Sequence, residues 1–155
     1  MTYKVRGRKI NTSMLEIICT LGIFVVVGAL VLKLFVGANS LETKASDISK
    51  ACIMAESMAD TIKGYSSIEE AMKELDLNQV QDNHTTAVYE RFYDKDWNPV
   101  KKKGRYRATL TVEKQSLGNN DMYEVNIVIK SEKSYPIIKK ERGNVLTSLK
   151  VCSYK

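Results

Sequence analysis

The stretch Met14–Val36, MLEIICTLGIFVVVGALVLKLFV, is 23 residues long and carries two charges, Glu16 and Lys33, one near each end. No charge falls between Ile17 and Leu32. At about 1.5 Å of rise per helical residue, about 20 apolar residues cross the roughly 30 Å hydrocarbon core of a bilayer. The stretch therefore reads as a membrane-spanning helix. Ahead of it stand Lys4, Arg6, Arg8 and Lys9 with no acid, and the near-neutral run Val36 to Leu41 follows it. The positive-inside rule then places the N-terminus in the cytoplasm and the remainder of the chain outside the cell membrane, as a single-pass protein. A cleaved secretory signal is the competing reading. Its apolar region would be shorter, and Gly37-Ala38-Asn39-Ser40 makes a poor cleavage site of the A-x-A kind.

Downstream of the span the apolar pattern continues without a break. Leu41, Ala45, Ile48, Cys52, Ala55, Ala59 and Ile62 follow one another at alternating steps of four and three, with Glu42, Lys44, Asp47, Lys50, Glu56, Asp60 and Lys63 between them. The spacing predicts one helix over about residues 13–63, with room for a bend at Gly37 and a stop at Gly64. Its first half is apolar all round. Its second half is amphipathic and needs an apolar partner.

Ser66 to Leu75 then reads as a short helix, because Ser66/Glu69 or Ser67/Glu70 fits a capping box and Ile68, Met72 and Leu75 share a face. A polar loop through Asp82-Asn83-His84 follows. From Ala87 the period changes to two. Ala87 to Tyr93 is a strand, and Asp94 to Pro99 is a turn of Asp, Asn and Pro. Arg105 to Lys114 puts Tyr106, Ala108, Leu110 and Val112 on one face. After the Gly118-Asn119-Asn120 turn, Met122 to Lys130 does the same with Tyr123, Val125, Ile127 and Ile129, and Val145 to Tyr154 closes the set. Four strands on short loops imply an antiparallel meander with one apolar face. That face and the helical stripe bury each other most economically. The expected fold is α+β: residues 1–11 a basic leader, 12–36 the transmembrane helix, 37–63 its amphipathic continuation, and 64–155 an extracytoplasmic domain built on a four-stranded sheet.

Charge and motifs narrow the function. The chain has 24 Lys and Arg against 18 Asp and Glu, a formal +6, and four of those charges lie in the leader. The clusters Lys101-Lys102-Lys103 and Lys139-Lys140 are short and read as solvated loops, so nucleic acid is not an expected partner. Asp94, Asp96 and Asn98 have the spacing of a calcium loop, but Pro99 and Arg105 stand where an EF-hand needs Gly and Glu. His84, the sole histidine, has no recognisable nucleophile motif, and Trp97 with Tyr93 reads as hairpin packing. No cofactor, metal or catalytic activity is expected. Of three cysteines Cys19 lies in the span, so Cys52 and Cys152 are the one pair an oxidising compartment could join; two buried thiols are expected in preference to that disulfide.

A short basic leader, the acid Glu16 just inside the apolar run of Thr12-Ser13-Met14-Leu15-Glu16-Ile17-Ile18, an amphipathic continuation and a C-terminal antiparallel sheet together make the chain resemble the type IV pilin-like proteins, including the pseudopilins of type II secretion and competence systems. Leu32 to Asp60 also looks like pilin-like proteins of Gram-positive bacteria. The likeness covers nearly the whole chain in architecture and about 50 residues in pattern. It implies processing between Asn11 and Thr12 by a prepilin peptidase, with methylation of the new terminus. It also implies assembly with other pilin-like subunits through a membrane platform protein, and a pairing of the Glu16 carboxylate with the freed amine of a neighbouring subunit. Glu16 has a physical reading too: it falls in the first helical turn, where the dipole favours an anion by about 0.3–1 kcal/mol. Asn11 stands where the family usually has glycine. That departure favours the alternative, an uncleaved single-pass anchor carrying an external binding or sensor domain.

Overall fold

The structure, a computed structural model, describes residues 12–83, 85–117, 120–135 and 144–154. Asn11, the leader, His84, Gly118-Asn119 and Lys139-Lys140 lie outside the described residues. The chain divides into two units, Met1–Asn39 and Ser40–Lys155. Helix α1, Thr12–Gly64, runs unbroken through Gly28 and Gly37 and stops at Gly64 as the sequence predicts. Ser67 caps α2, Ile68–Glu74: its hydroxyl oxygen accepts from the Glu70 amide at 3.4 Å and its O–H donates to Glu69 Oε2 at 2.6 Å. That bond holds the Glu69 carboxyl below its ordinary pKa.

Six strands follow: β1 Asn78–Asn83, β2 Thr86–Tyr93, β3 Pro99–Val100, β4 Tyr106–Leu117, β5 Asn120–Ser131 and β6 Val145–Tyr154. The order in the sheet is β1-β2-β4-β5-β6, all antiparallel, and β3 pairs with the end of β2. The predicted meander is β2-β4-β5-β6. Two strands are additions. β1 occupies the predicted polar loop; all six of its residues are exposed and its sequence, NQVQDN, holds one apolar residue. An edge strand with neither face buried leaves no period-two signal. β3 is two residues long and begins at Pro99, which is compatible with an edge position.

The core of the Ser40–Lys155 unit lies between the inner face of the sheet and the second half of α1. Tyr106, Ala108, Leu110 and Val112 of β4 and Val125, Ile127 and Ile129 of β5 are buried as their alternation predicts. From the helix come Ala51, Ala55, Met58, Ala59 and Ile62. Of the predicted stripe, Ala55, Ala59 and Ile62 are buried and Ile48 and Cys52 half-buried, and only its upstream end departs. Leu41 is 61% exposed and Ala45 is exposed, while Ser40, Asp47 and Ala51 are buried. A strict seven-residue repeat drifts about 20° per heptad on a straight helix, so a stripe anchored on Ile62 has turned away by Leu41. Alanines at 51, 55 and 59 let the helix backbone lie close to the sheet.

Polar groups complete the packing at the upstream end of that stripe. The buried Asp47 carboxylate accepts a 2.6 Å bond from the Tyr135 hydroxyl and lies 3.8 Å from the Arg105 guanidinium. Burial, then the bond to Asp47, pushes the Tyr135 phenol up to about 12 and the Tyr106 phenol further still. A tyrosine whose folded pKa stands above its ordinary 10 contributes stability in full below pH 10 and loses it as pH climbs toward the folded value. The unit is thus expected to lose stability progressively above pH 10, with the phenolate absorbance of these two rings rising together with loss of near-ultraviolet circular dichroism. A smooth titration of all tyrosines near pH 10 with the fold intact would contradict the arrangement.

The β2–β3 turn is pinned in the predicted way. One oxygen of Asp94 accepts from the amides of Asp96 at 2.8 Å and Asn98 at 2.9 Å, and the other accepts from Asn98 Nδ2 at 3.4 Å, which holds the carboxyl below its ordinary pKa. Trp97 adopts a positive φ of 67° and stacks on Tyr106 with ring centroids 4.1 Å apart. The hairpin aromatics are therefore packing, as the sequence predicts. Gly104 lies against the backbone of Tyr93: a Cβ there would stand 2.7 Å from the Tyr93 nitrogen and closer still to its carbonyl oxygen. Gly104→Ala is expected to destabilise the unit by about 1–3 kcal/mol, read as a lower urea midpoint, because backbone must move to admit it.

Candidate assembly surface and neighbouring clefts

In the first unit α1 offers its apolar side chains outward on every side. No residue from Thr12 to Asn39 is buried, and Phe24, Leu34 and Phe35 are each more than 70% exposed. This segment is a helix long and apolar enough to cross a membrane. Valine and isoleucine are frequent here, and a helix so rich in β-branched residues draws its stability from surroundings that cover it. A Cβ added at Gly22, Gly28 or Gly37 would meet nothing within 4 Å among the described residues.

Glu16 is exposed and flanked on the helix surface by Ile17, Thr20, Leu21 and Phe24. It is the fifth residue of the described helix, whose first turn carries no acid, so it falls just beyond the turn in which the dipole acts most strongly. This corrects the expected first-turn placement. Thr20 Oγ1 donates to the Glu16 backbone carbonyl at 2.8 Å, which leaves the carboxylate to the outside of the helix. Thr12 opens the described helix, and its predecessor Asn11 lies outside the described residues.

Cys52 and Cys152 do not pair. All three cysteines are free. Cys52 lies half-buried on the helix, and its Sγ donates to Thr147 Oγ1 of β6 at 3.5 Å. Thr147, Leu149, Val151 and Ser153 alternate on that inner face, so Cys152, one residue out of phase, is exposed on the outer face. The sheet separates the two thiols; they are free, as expected, but Cys152 is exposed and not buried, which corrects that part of the expectation.

Two clefts mark the second unit. One, of about 330 Å³, sets the acids Glu69 and Asp82 against Lys114, so its charges offset in part. The other, of about 380 Å³, lies beside the β2–β3 turn and gathers Lys95, Lys102, Lys103, Arg105 and Lys133 around Asp94. As a local sequence, Lys101-Lys102-Lys103 reads as a solvated loop. Their convergence with Lys133, about 30 residues downstream, depends on the β4–β5 pairing that sets Tyr106 opposite Ser131, and no local pattern announces it. Comparison with family models, with curated proteins and with solved structures finds no match to this chain.

Proposed function

We propose that this chain is a structural subunit of a type IV pilus-like or pseudopilus filament. It is held in the cell membrane by the helix from Thr12 to Val36 and assembled by packing that helix against those of other subunits. The observation that carries the reading is the exposed apolar surface of residues 14–36, with a single carboxylate, Glu16, set in it. Apolar surface of this extent requires lipid or other helices around it. Simple anchoring needs no acid. A carboxylate inside the apolar run costs a few kcal/mol unless it finds a cation or the interface, and the freed amine of a neighbouring subunit is such a cation. The domain then lies outside the cytoplasm, prepilin peptidase cuts before Thr12, and the platform protein of the assembly machine receives the subunit.

N-terminal sequencing of the membrane-extracted protein tests the processing step. A chain beginning at Thr12 is expected; an intact Met1 would favour the uncleaved anchor with an external binding domain. Glu16→Ala tests the assembly step. Incorporation into filaments is expected to fall at least tenfold, since a salt link of about 1.5–3 kcal/mol in a low-dielectric bundle is lost per subunit. Undiminished incorporation would remove Glu16 from the mechanism.

A further inference from the structure

We infer that the cleft formed by Lys95, Lys102, Lys103, Arg105 and Lys133 is a binding site for a compact phosphate-bearing anion, free in solution or carried on a lipid headgroup. Five cations and one carboxylate line about 380 Å³. The one carboxylate, Asp94, accepts three hydrogen bonds from Asp96 and Asn98, so it is fixed in the turn and its single charge offsets one of the five cations. Among the described residues, Lys102, Lys103 and Lys133 make no salt bridge, whereas Lys95 lies 3.8 Å from Asp96 and Arg105 3.8 Å from Asp47. Five cations against one carboxylate in a concave site repel one another, and an anion that enters relieves that repulsion.

The cleft is built on fixed backbone. Gly104 is wedged against Tyr93, and the Arg105 amide donates to the Tyr93 carbonyl at 2.7 Å. On the opposite wall the Lys133 carbonyl accepts from Ser131 Oγ at 2.8 Å and Asn144 Nδ2 at 3.3 Å. Lysines on held loops give point charges, which suit the several oxygens of a phosphate without demanding a planar fork. Nucleic acid is a poorer fit. Binding of single strands needs exposed rings for base stacking, and Tyr93, Trp97 and Tyr106, the aromatics of this region, are buried.

The test uses the full chain in nanodiscs of zwitterionic lipid at physiological salt, titrated with sodium tripolyphosphate by calorimetry. Saturable one-site binding is expected. The double variant Lys102→Gln/Lys133→Gln should weaken it at least tenfold, and Lys150→Gln, on the outer face and paired to Glu124 at 2.6 Å, should leave it within twofold. Near-ultraviolet circular dichroism unchanged from the wild type secures the fold of each variant. Binding to phosphatidic acid vesicles with the same lysine dependence assigns the source to a headgroup; its absence assigns it to a free anion. The inference is overturned by no saturable binding at millimolar tripolyphosphate, by equal weakening in Lys150→Gln, or by tighter lysine-dependent binding of a single-stranded oligonucleotide, which would make the cleft a nucleic-acid surface. None of these results depends on filament assembly.

Discussion

Replacing Val25 and Val26 together by arginine is expected to deplete the chain from the membrane fraction by about half or more. Both lie at the middle of the uncharged run from Ile17 to Leu32 and both are exposed on α1. The large apolar side chains of residues 14–36 favour insertion by about 5–10 kcal/mol in total, at roughly 0.3–0.6 kcal/mol each. Two arginines at the helix centre cost about 5–7 kcal/mol on the same scale, which brings the balance close to zero. One arginine would leave most of the chain inserted, and so the double variant is the informative one. Val80→Arg serves as the control: Val80 is 61% exposed on the edge strand β1 and its substitution should leave fractionation unchanged. Carbonate extraction followed by immunoblotting reads the result. A double variant that remains wholly in the membrane would mean that residues 14–36 are not the anchor.

The second large effect is expected from Asp47→Ala, in the other unit. The Asp47 carboxylate is the acceptor for the Tyr135 hydroxyl and the counter-charge of Arg105, and it bonds the Tyr106 hydroxyl as well. Alanine leaves two buried hydroxyls without their acceptor and a half-buried guanidinium without its anion. Orphaned buried partners of this kind cost about 3 kcal/mol, a large part of the roughly 5–15 kcal/mol that a domain of this size possesses. The expected result is a urea midpoint lowered by at least 1 M with the slope unchanged, at about 1–3 kcal/mol per molar. Asp47→Asn keeps an acceptor and should lose less than half as much. Equal losses for the two variants would mean that packing volume, and not the hydrogen-bonded charge, holds the helix to the sheet at this point.

Asp47 also marks where reading the chain alone stops. The span, the capped α2, the Asp94 turn and the inward faces of β4 and β5 are legible because each is set by neighbours in sequence: an apolar run, a cap, an Asx turn, an alternation of two. The upstream end of the helical stripe is not. Steps of four and three selected Leu41 and Ala45, yet the buried face upstream of Ala51 is made by Ser40 and Asp47, because Arg105 and Tyr135 supply polar partners from the sheet side. An acid on an amphipathic helix reads as solvent-facing until its partner, 88 residues away, is known. β1 was hidden for a related reason: its pairing with β2 from Asn78 opposite Glu90 to Asn83 opposite Thr86 is made by backbone, with no buried side chain to mark it. The cationic cleft joins lysines of separate hairpins, so its charges were visible one by one and their concentration was not.

In the proposed cycle one apolar helix serves twice, first in lipid and then among its own kind, and Glu16 is the group that distinguishes the second setting from the first. Mechanical shearing of intact cells, followed by sedimentation of the released material without detergent and immunoblotting for this chain, tests that account most directly. The account predicts the chain in the sedimented filament fraction, beginning at Thr12, and its loss from that fraction in Glu16→Ala while the membrane pool persists. A chain that stays entirely in the membrane after shearing, in cells that release filaments, would contradict it.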